Sequence, residues 1–247
     1  MTVAATAADV QAALAERADP ADAVHLQRFF KTGPGQYGEG DVFIGVRVPA
    51  TRSVVKEFVA LPAGEVDELL DSAVHEHRLA ALLILNAQFA RASRPRTANQ
   101  AARERIVEQY LAAVRRGRVN NWDLVDSSAE YVLGAWLLDR PRDVLDALAA
   151  SEVLWERRVA LLATLAFIKS GDPTTTLTLS ERLLADRADL IQKAVGWMLR
   201  EVGKRVDRAV LLDFLERYAP QMGRTALSYA TEHFDPETRA RLRAARD

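Results

Sequence analysis

A short segment running from Asn120 to Asp126 holds the side chains best suited to chemistry in this sequence. Trp122 and Asp126 are four residues apart and share one face if the segment is helical. Asp123 has a sufficient structural role, since it follows Asn120 at capping-box spacing, and either Asn120 or Asn121 can cap the helix. Capping does not explain Asp126, which lies past the first turn. A tryptophan beside an unexplained carboxylate predicts a site for a flat or cationic ligand; the structural alternative is a partly buried Trp and a solvated Asp.

The composition is that of an ordinary globular chain, and it excludes several kinds of site. Of the 247 residues, 49% are hydrophobic and 27% are charged, and the formal net charge is −1. The absence of cysteine excludes disulfides, thiolate nucleophiles and thiolate metal ligands. Four scattered histidines, with His75 and His77 poorly spaced for one helix face, predict no metal site. Without a membrane-spanning run or a visible signal peptide, we expect a cytoplasmic monomer that does not bind membranes.

The spacing of apolar residues predicts an all-α fold. Helices are expected over 5–17, 20–30 and 50–60, with Pro49 at the start of the third. From residue 64 onward the pattern is helical throughout, prolines punctuate it, and strand signals are absent. The predicted helices there cover 65–71, 76–91, 98–115, 122–138, 142–149, 152–168, 177–186, 188–203, 206–217, 222–234 and 236–246.

One glycine-rich stretch, Gly33 to Asp41, interrupts the N-terminal helices. It lacks the Gly-Lys-Ser/Thr ending of a Walker motif and is predicted to be a loop that continues in extended form to Pro49. The flanking chain is locally basic, and Lys31 and Arg47 are candidate phosphate contacts. The structural alternative is a solvated face. The basic residues of this region are Arg28, Lys31, Arg47, Arg52 and Lys56.

Several helices share a pattern in which a basic residue precedes small and apolar ones. The basic residues are Arg78, Arg158, Lys193 and Arg224. Positions 158 and 193 are 35 residues apart, and positions 193 and 224 are 31 apart. A helical-pair repeat of this length predicts an α-solenoid of the HEAT type with a concave groove. We therefore expect a single domain over 1–247, with N-terminal helices and the Gly-rich loop in 1–62 and repeats in 63–247.

Stacked repeats of this kind place one helix of each pair along the concave side. Stepping back 35 residues from position 158 leads to position 123, within the Asn120–Asp126 segment. The spacing therefore predicts one inner surface, partly basic, with two tryptophans and one unexplained carboxylate. The residues expected on it are Trp122, Asp126, Arg158, Lys193 and Trp197.

At these residues the sequence resembles the AlkD-type alkylpurine DNA glycosylases, the HEAT-like-repeat DNA alkylation repair family. Four segments carry the resemblance, their order and spacing match, and together they span nearly the whole chain. They are Phe29-Phe30-Lys31-Thr32-Gly33 with the Gly-rich loop and Gly45-Val46-Arg47-Val48-Pro49; Asn121-Trp122-Asp123-Leu124-Val125-Asp126; Trp155-Glu156-Arg157-Arg158-Val159-Ala160; and Ile191-Gln192-Lys193-Ala194-Val195-Gly196-Trp197-Met198-Leu199-Arg200-Glu201.

The resemblance implies removal of cationic N3- and N7-alkylated purines from double-stranded DNA, with no metal and no organic cofactor. It implies that Asp126 is the functional carboxylate and that Trp122 and Trp197 contact the damaged nucleotide. It assigns DNA contact to Arg158, while Arg157 beside it leaves open which arginine fills that role. Lys193 is a further candidate phosphate contact. The family is also known for not requiring the base to be flipped into a pocket, unlike most glycosylases.

Two other functions compete with the enzyme. A DNA-binding solenoid without glycosylase activity would be signalled by loss of Asp126 or Trp197, and both are present. A protein–protein scaffold is the commonest use of α-solenoids, but the Arg and Lys residues predicted on the inner helices do not favour it.

Overall fold

The computed structural model describes residues 4–245, which are predominantly helical. The chain divides into two compact units that meet in sequence between Val132 and Leu133. The expected all-α fold is confirmed. Several helices that follow one another in sequence pack side by side, such as Ala63–Leu70, His75–Ser93 and Gln100–Arg115 in the first unit, which is consistent with the predicted α-solenoid of helical pairs. The single repeat domain over 1–247 stays a prediction.

The first unit is built around one long helix, α5. Every residue from Leu79 to Leu85 is buried, so the middle of α5 (His75–Ser93) is apolar on all sides and needs neighbours all round. Helices α3 (Val48–Val55), α4 (Ala63–Leu70) and α6 (Gln100–Arg115) pack against it. The helices of this unit are α1 (Ala7–Ala15), α2 (Pro20–Gln27), α3 (Val48–Val55), α4 (Ala63–Leu70), α5 (His75–Ser93), α6 (Gln100–Arg115) and α7 (Trp122–Asp126), with a 3-10 turn at Pro95–Thr97.

The second unit is built around α12, which is amphipathic. Its buried face includes Ala194, Met198 and Val202 at four-residue spacing. The helices that pack against it are α9 (Leu154–Ala163), α13 (Arg208–Tyr218) and α14 (Arg224–Ala230). The helices of this unit are α8 (Asp143–Ala149), α9 (Leu154–Ala163), α10 (Leu165–Lys169), α11 (Thr174–Arg182), α12 (Asp189–Arg205), α13 (Arg208–Tyr218), α14 (Arg224–Ala230) and α15 (Pro236–Ala244), with 3-10 turns at Leu137–Asp139 and Ala219–Gln221.

The largest departure from the predicted helices lies at 122–138, where the apolar spacing predicts one helix. Helix α7 ends at Asp126 after five residues, and a π-helical turn at Glu130–Gly134 follows. Ser128 donates its hydroxyl hydrogen to the carbonyl of Leu124 at 2.6 Å. The side chain of Ser128 thus takes the place of the backbone N–H that would bond to this carbonyl in a regular α-helix. The predicted helix 236–246 ends at Ala244, and residue 246 lies outside the described residues.

Two smaller differences concern the N-terminal region and strand pairing. The third helix begins at Val48 and ends at Val55, earlier than the predicted 50–60. In residues 4–245, strand-like pairing is limited to one parallel bridge between Val42 and Val74. That bridge fixes the end of the Gly-rich stretch next to the start of α5.

Gly196 lets α12 and α14 approach closely. A Cβ at Gly196 would lie 2.4 Å from the carbonyl oxygen of Ala226 and 2.5 Å from the Cβ of Tyr229. Backbone atoms cannot give way, so we expect Gly196→Ala to lower the free energy of unfolding by about 1–3 kcal/mol despite alanine's higher helix propensity. A Cβ at Gly64 in α4 would have no atom within 4 Å, so Gly64→Ala should leave stability unchanged or slightly raised.

Urea denaturation of the wild type and both glycine variants measures this difference. A Gly196→Ala protein as stable as the Gly64→Ala protein would show that α12 and α14 can separate without loss.

Neither a membrane span nor a metal cluster is found in the described chain. Across residues 4–245, no helix is both long enough and apolar enough to cross a membrane. The same residues contain no group of three or more His, Asp or Glu side chains arranged to hold a metal ion.

Candidate functional site

Trp122 is the first residue of α7, and the residue before it sets its position. Asn121 is the N-cap and is fully buried, and its Oδ1 accepts the backbone N–H of Trp122 at 2.9 Å. The predicted capping box between Asn120 and Asp123 is wrong. Asp123 instead accepts the N–H of Leu124 at 2.8 Å through Oδ1 and turns its Oδ2 toward α5.

The indole of Trp122 is half-buried and lies against the N-terminal part of the chain. Its ring stacks on Phe30, with centroids 5.3 Å apart and planes inclined by 17°. Its Nε1 donates to the carbonyl oxygen of Phe29 at 3.4 Å. Phe30 also stacks on Phe43, at 4.9 Å. One face of the indole is therefore fixed by aromatic packing, and the ring keeps partial solvent access.

Asp126 ends the same helix and is also half-buried. Beneath α7, the hydroxyls of Tyr110 and Ser128 are 3.1 Å apart and fully buried. Burial raises the pKa of Tyr110 above its usual value, a hydrogen bond with Ser128 opposes this, and the negative charge of Asp126 raises it further. Tyr110 therefore stays a neutral phenol near the carboxylate of Asp126.

The extended segment that follows the Gly-rich stretch is held to α5 by one buried carboxylate. Glu76, only 2% exposed, accepts three successive backbone N–H groups, from Ile44, Gly45 and Val46. The shortest of these bonds is from Gly45, at 2.8 Å. Gly45 has φ of 82°, and a Cβ there would lie 2.0 Å from the carbonyl oxygen of Asp19, so only glycine fits.

The Gly-rich stretch itself is tied to α7 through His75, at the start of α5. Its Nδ1 lies 3.2 Å from Oδ2 of Asp41, and its Nε2 lies 2.7 Å from Oδ2 of Asp123. Asp41 also accepts from Arg78 at 2.5 Å and from Asn121 at 3.0 Å. Two carboxylates, one guanidinium and one imidazole thus share a space that is nearly closed to solvent.

The charges in this cluster determine its protonation. Burial acts to lower the pKa of His75, but hydrogen bonds to Asp123 and Asp41 outweigh it and raise that pKa to about 9. Burial acts to raise the pKa of Asp41, but the hydrogen bond from His75 and the charge of Arg78 hold it below its usual value. At neutral pH His75 is an imidazolium that donates to both carboxylates, and the cluster is electrically balanced.

The basic residues predicted near the Gly-rich stretch differ in their partners. Arg47 makes a bidentate ion pair with Asp22, at 2.6 Å through both Nε and Nη2, and the hydrogen bond to Asp22 raises the pKa of Arg47. Lys31 and Arg28 are exposed, and among the described carboxylates none lies within ion-pair distance of either. Since Phe29 and Phe30 contact Trp122, these two cations flank the chain segment that covers the indole.

In the second unit, Trp197 lies on α12 and is half-buried. Gly196 before it faces the backbone of α14, so the small residue serves helix packing rather than the indole. Lys193, one turn earlier, pairs with Asp189 at 2.8 Å across an exposed i, i+4 contact.

The two adjacent arginines of α9 have different surroundings. Arg157 donates to the carboxylate of Asp186 at 2.7 Å and to the carbonyls of Ser151 and Glu152, both at 2.8 Å. Arg158 is 4% exposed, and its Nη1 donates to the carbonyl of Leu190 at 2.5 Å. Both arginines therefore anchor the fold, and DNA contact by either one stays a prediction.

The prediction that Arg78, Arg158, Lys193 and Arg224 occupy equivalent positions in their helices is wrong. Arg78, Arg157 and Gln192 are each the fourth residue of their helix, and each donates to the carbonyl six residues before it. Those bonds reach Ser72, Ser151 and Asp186 at 2.9, 2.8 and 2.5 Å. Arg158 and Lys193 lie one position later, and Arg224 is the first residue of α14. The position shared by the three helices is thus structural, and it ties each helix to the turn before it.

Of the sequence-predicted site residues, the first unit brings Trp122 and Asp126 together on one short helix. Arg158, Lys193 and Trp197 belong to the second unit, and convergence of all five on one surface stays a prediction. Sequence reasoning missed His75, Asp41 and Phe30. The sequence feature that could have indicated them is the His75-Glu76 pair at the start of a long apolar helix. Two polar residues at that place have no solvent-exposed helix face and need buried partners.

Comparison with known proteins gives a family and a fold. A family model described as DNA alkylation repair enzyme matches residues 10–234. A solved structure of a predicted DNA alkylation repair enzyme from Enterococcus faecalis is similar, with a TM-score of 0.69 at 18% identity, covering 89% of this chain and 98% of that one. At that identity the likeness shows the fold alone. No curated protein matches the sequence.

Proposed function

Because this chain belongs to the family of DNA alkylation repair enzymes, we propose that it is a DNA-alkylpurine N-glycosylase acting on duplex DNA. Its substrates in this proposal are purines alkylated at N3 or N7, such as 3-methyladenine and 7-methylguanine. The observation that carries the proposal is the placing of half-buried Trp122 and half-buried Asp126 on one five-residue helix, α7.

The chemistry of the substrate fits a site with one carboxylate. Most glycosidases use two carboxylic groups, because the leaving group must be protonated while the sugar is attacked. A purine alkylated at N3 or N7 already carries a positive charge and leaves as a neutral base, so no general acid is needed. The site must stabilise an oxocarbenium-like sugar and orient one water molecule, and Asp126 can do both.

The aromatic residues act on the same charge. A tryptophan face attracts a cation by about 0.5–2 kcal/mol, depending on solvent exposure. In the proposal Trp122 and Trp197 contact the damaged nucleotide. Trp122 suits this role because Phe30 and Asn121 fix its position while its ring keeps partial exposure.

Phosphate contacts in the proposal come from exposed or partly exposed cations. Lys31 flanks the segment over Trp122 and lacks an ion-pair partner among the described carboxylates. The pair between Lys193 and Asp189 is solvent-exposed, so it contributes little to stability and can rearrange toward a phosphate. Arg47 must exchange its bidentate bond with Asp22 for a phosphate to take part.

Release of free base from methylated duplex DNA tests the proposal. The protein is incubated with duplex carrying 7-methylguanine or 3-methyladenine, and free methylpurine is measured by chromatography. We expect release that is unaffected by a chelator. A duplex carrying a neutral purine lesion serves as the control, and its excision should be at least about 100-fold slower because a neutral leaving group still needs a proton.

The other outcomes identify the competing functions. Tight binding to duplex DNA without release of methylpurine would indicate a DNA-binding protein that does not excise bases. Absence of both binding and release would favour a protein–protein scaffold.

A further inference from the structure

We infer that His75, as an imidazolium, is a positioning residue that holds Trp122 in place by tying the Gly-rich stretch to α7. The inference rests on the proposed function only in giving Trp122 a nucleotide-contacting role. His75 itself is 2% exposed, so it acts through other side chains.

The contacts of Trp122 lead back to this histidine by three routes. Its neighbour Asp123 accepts from Nε2 of His75 at 2.7 Å. Its N-cap, Asn121, donates at 3.0 Å to Asp41, the carboxylate that also faces Nδ1 of His75.

The third route is through aromatic packing. Phe30 lies 5.3 Å from Trp122 and 4.9 Å from His75, between centroids, so it contacts both rings. Phe43 stacks on His75 at 4.8 Å with planes inclined by 22°. An imidazolium against aromatic faces gains a cation–π attraction that the neutral ring lacks.

The charges around His75 explain why the tie depends on protonation of its imidazole. The charged groups facing His75 are Asp41 from the Gly-rich stretch, Asp123 from α7 and Arg78 from its own helix. With His75 protonated, two negative charges meet two positive ones. When His75 loses its proton, one ring nitrogen becomes an acceptor facing a carboxylate, and the cluster carries an uncompensated negative charge. The tie to Asp41 or to Asp123 must then break.

The tie weakens as the solution becomes more alkaline. The pKa of His75 is about 9 in the folded protein and near 6.5 when unfolded. The stability that the tie contributes is therefore fully present below about pH 6.5 and is lost as pH rises through about 9, the pH range over which the tie itself breaks in the folded protein.

Fluorine NMR on protein labelled with 5-fluorotryptophan reports on Trp122 without requiring activity. The Trp122 resonance is assigned with Trp122→Phe, and spectra are recorded from pH 6 to 10. We expect the wild-type resonance to titrate with a midpoint near pH 9, and the same resonance in His75→Gln to show no such transition. His77→Gln is the matched control and should keep the transition, because burial lowers the pKa of His77 below its usual value.

A second variant covers the case in which His75→Gln does not fold. Asp123→Asn keeps the histidine but removes one carboxylate partner, so the midpoint for Trp122 should fall by at least one pH unit. An unchanged midpoint in Asp123→Asn, or a wild-type Trp122 resonance that does not titrate near pH 9, overturns the inference.

Activity separates this inference from the proposed function. At saturating protein, the rate of 7-methylguanine release from duplex should fall about tenfold between pH 7.5 and 10 in the wild type, and should be low and flat in folded His75→Gln. If Trp122 titrates as expected but the wild type releases no base, the positioning role stands and the glycosylase proposal fails. If base is released at one rate across this range, the positioning role fails while the glycosylase proposal stands.

Discussion

Asp126→Asn is expected to slow the excision of 7-methylguanine by about 10²–10³-fold. In the proposed mechanism this carboxylate acts on positive charge that develops on the sugar only as the glycosidic bond breaks. Opposite charges about 4 Å apart at an effective dielectric near 20 attract by about 4 kcal/mol. Competing water removes part of this, which leaves about 2.7–4 kcal/mol, the usual loss on removing one electrostatic stabiliser.

DNA affinity separates this effect from a loss of binding. Asparagine has nearly the same shape as aspartate, so α7 should stay intact, and removal of a negative charge near phosphates should leave affinity unchanged or slightly higher. The measurement is single-turnover excision at saturating protein, with a binding titration for each variant. Asp213→Asn, which changes an exposed carboxylate on α13, is the control and should excise at the wild-type rate. If Asp126→Asn excises 7-methylguanine at the wild-type rate, Asp126 is not the catalytic group and is simply a solvated carboxylate on a helix.

Alanine variants of the two arginines of α9 are expected to differ in DNA affinity. Arg157→Ala should lower the free energy of unfolding by about 2–4 kcal/mol, because it leaves the poorly exposed carboxylate of Asp186 without its guanidinium. It also removes the donor to the carbonyls of Ser151 and Glu152. The DNA affinity of the protein that remains folded should hardly change.

Arg158→Ala should also lower the free energy of unfolding, because Arg158 is 4% exposed and donates to the carbonyl of Leu190. In the proposal Arg158 also contacts a phosphate, so the folded variant should bind damaged and undamaged duplex alike about 10–100-fold more weakly. Excision should slow mainly through lost positioning. Urea denaturation and binding titrations over a salt series give both quantities, and the log–log salt slope should fall by about one in Arg158→Ala. If Arg157→Ala alone loses affinity and salt slope, the roles of the two arginines are reversed.

Apolar spacing is sufficient to predict which parts of the chain are helical. It cannot predict the end of α7 at Asp126, because that break depends on the Ser128 hydroxyl replacing a backbone bond. Nor can it locate the His75 cluster, whose partners Asp41 and Asp123 are 34 and 48 residues away in sequence. Such contacts are set by how helices pack, and periodicity carries no information about them.

The repeat register shows a different limit of sequence reasoning. Matching basic residues aligns Arg78 with Arg158, whereas the shared hydrogen bond to the carbonyl six residues earlier aligns Arg78 with Arg157. In the third helix the same position is Gln192, which is uncharged. What the helices share there is a long side chain that donates hydrogen bonds, and charge alone is a misleading guide to it.

The hydrogen bonds that Glu76 accepts from three successive amides have a thermodynamic consequence for the proposed DNA association. A segment that is already ordered loses little conformational entropy when a ligand arrives, whereas a loop that folds on binding loses much. Association at this part of the chain should therefore resemble rigid docking, with a small heat-capacity change. Its rate would be set by diffusion and electrostatic attraction to the duplex rather than by a slow conformational step.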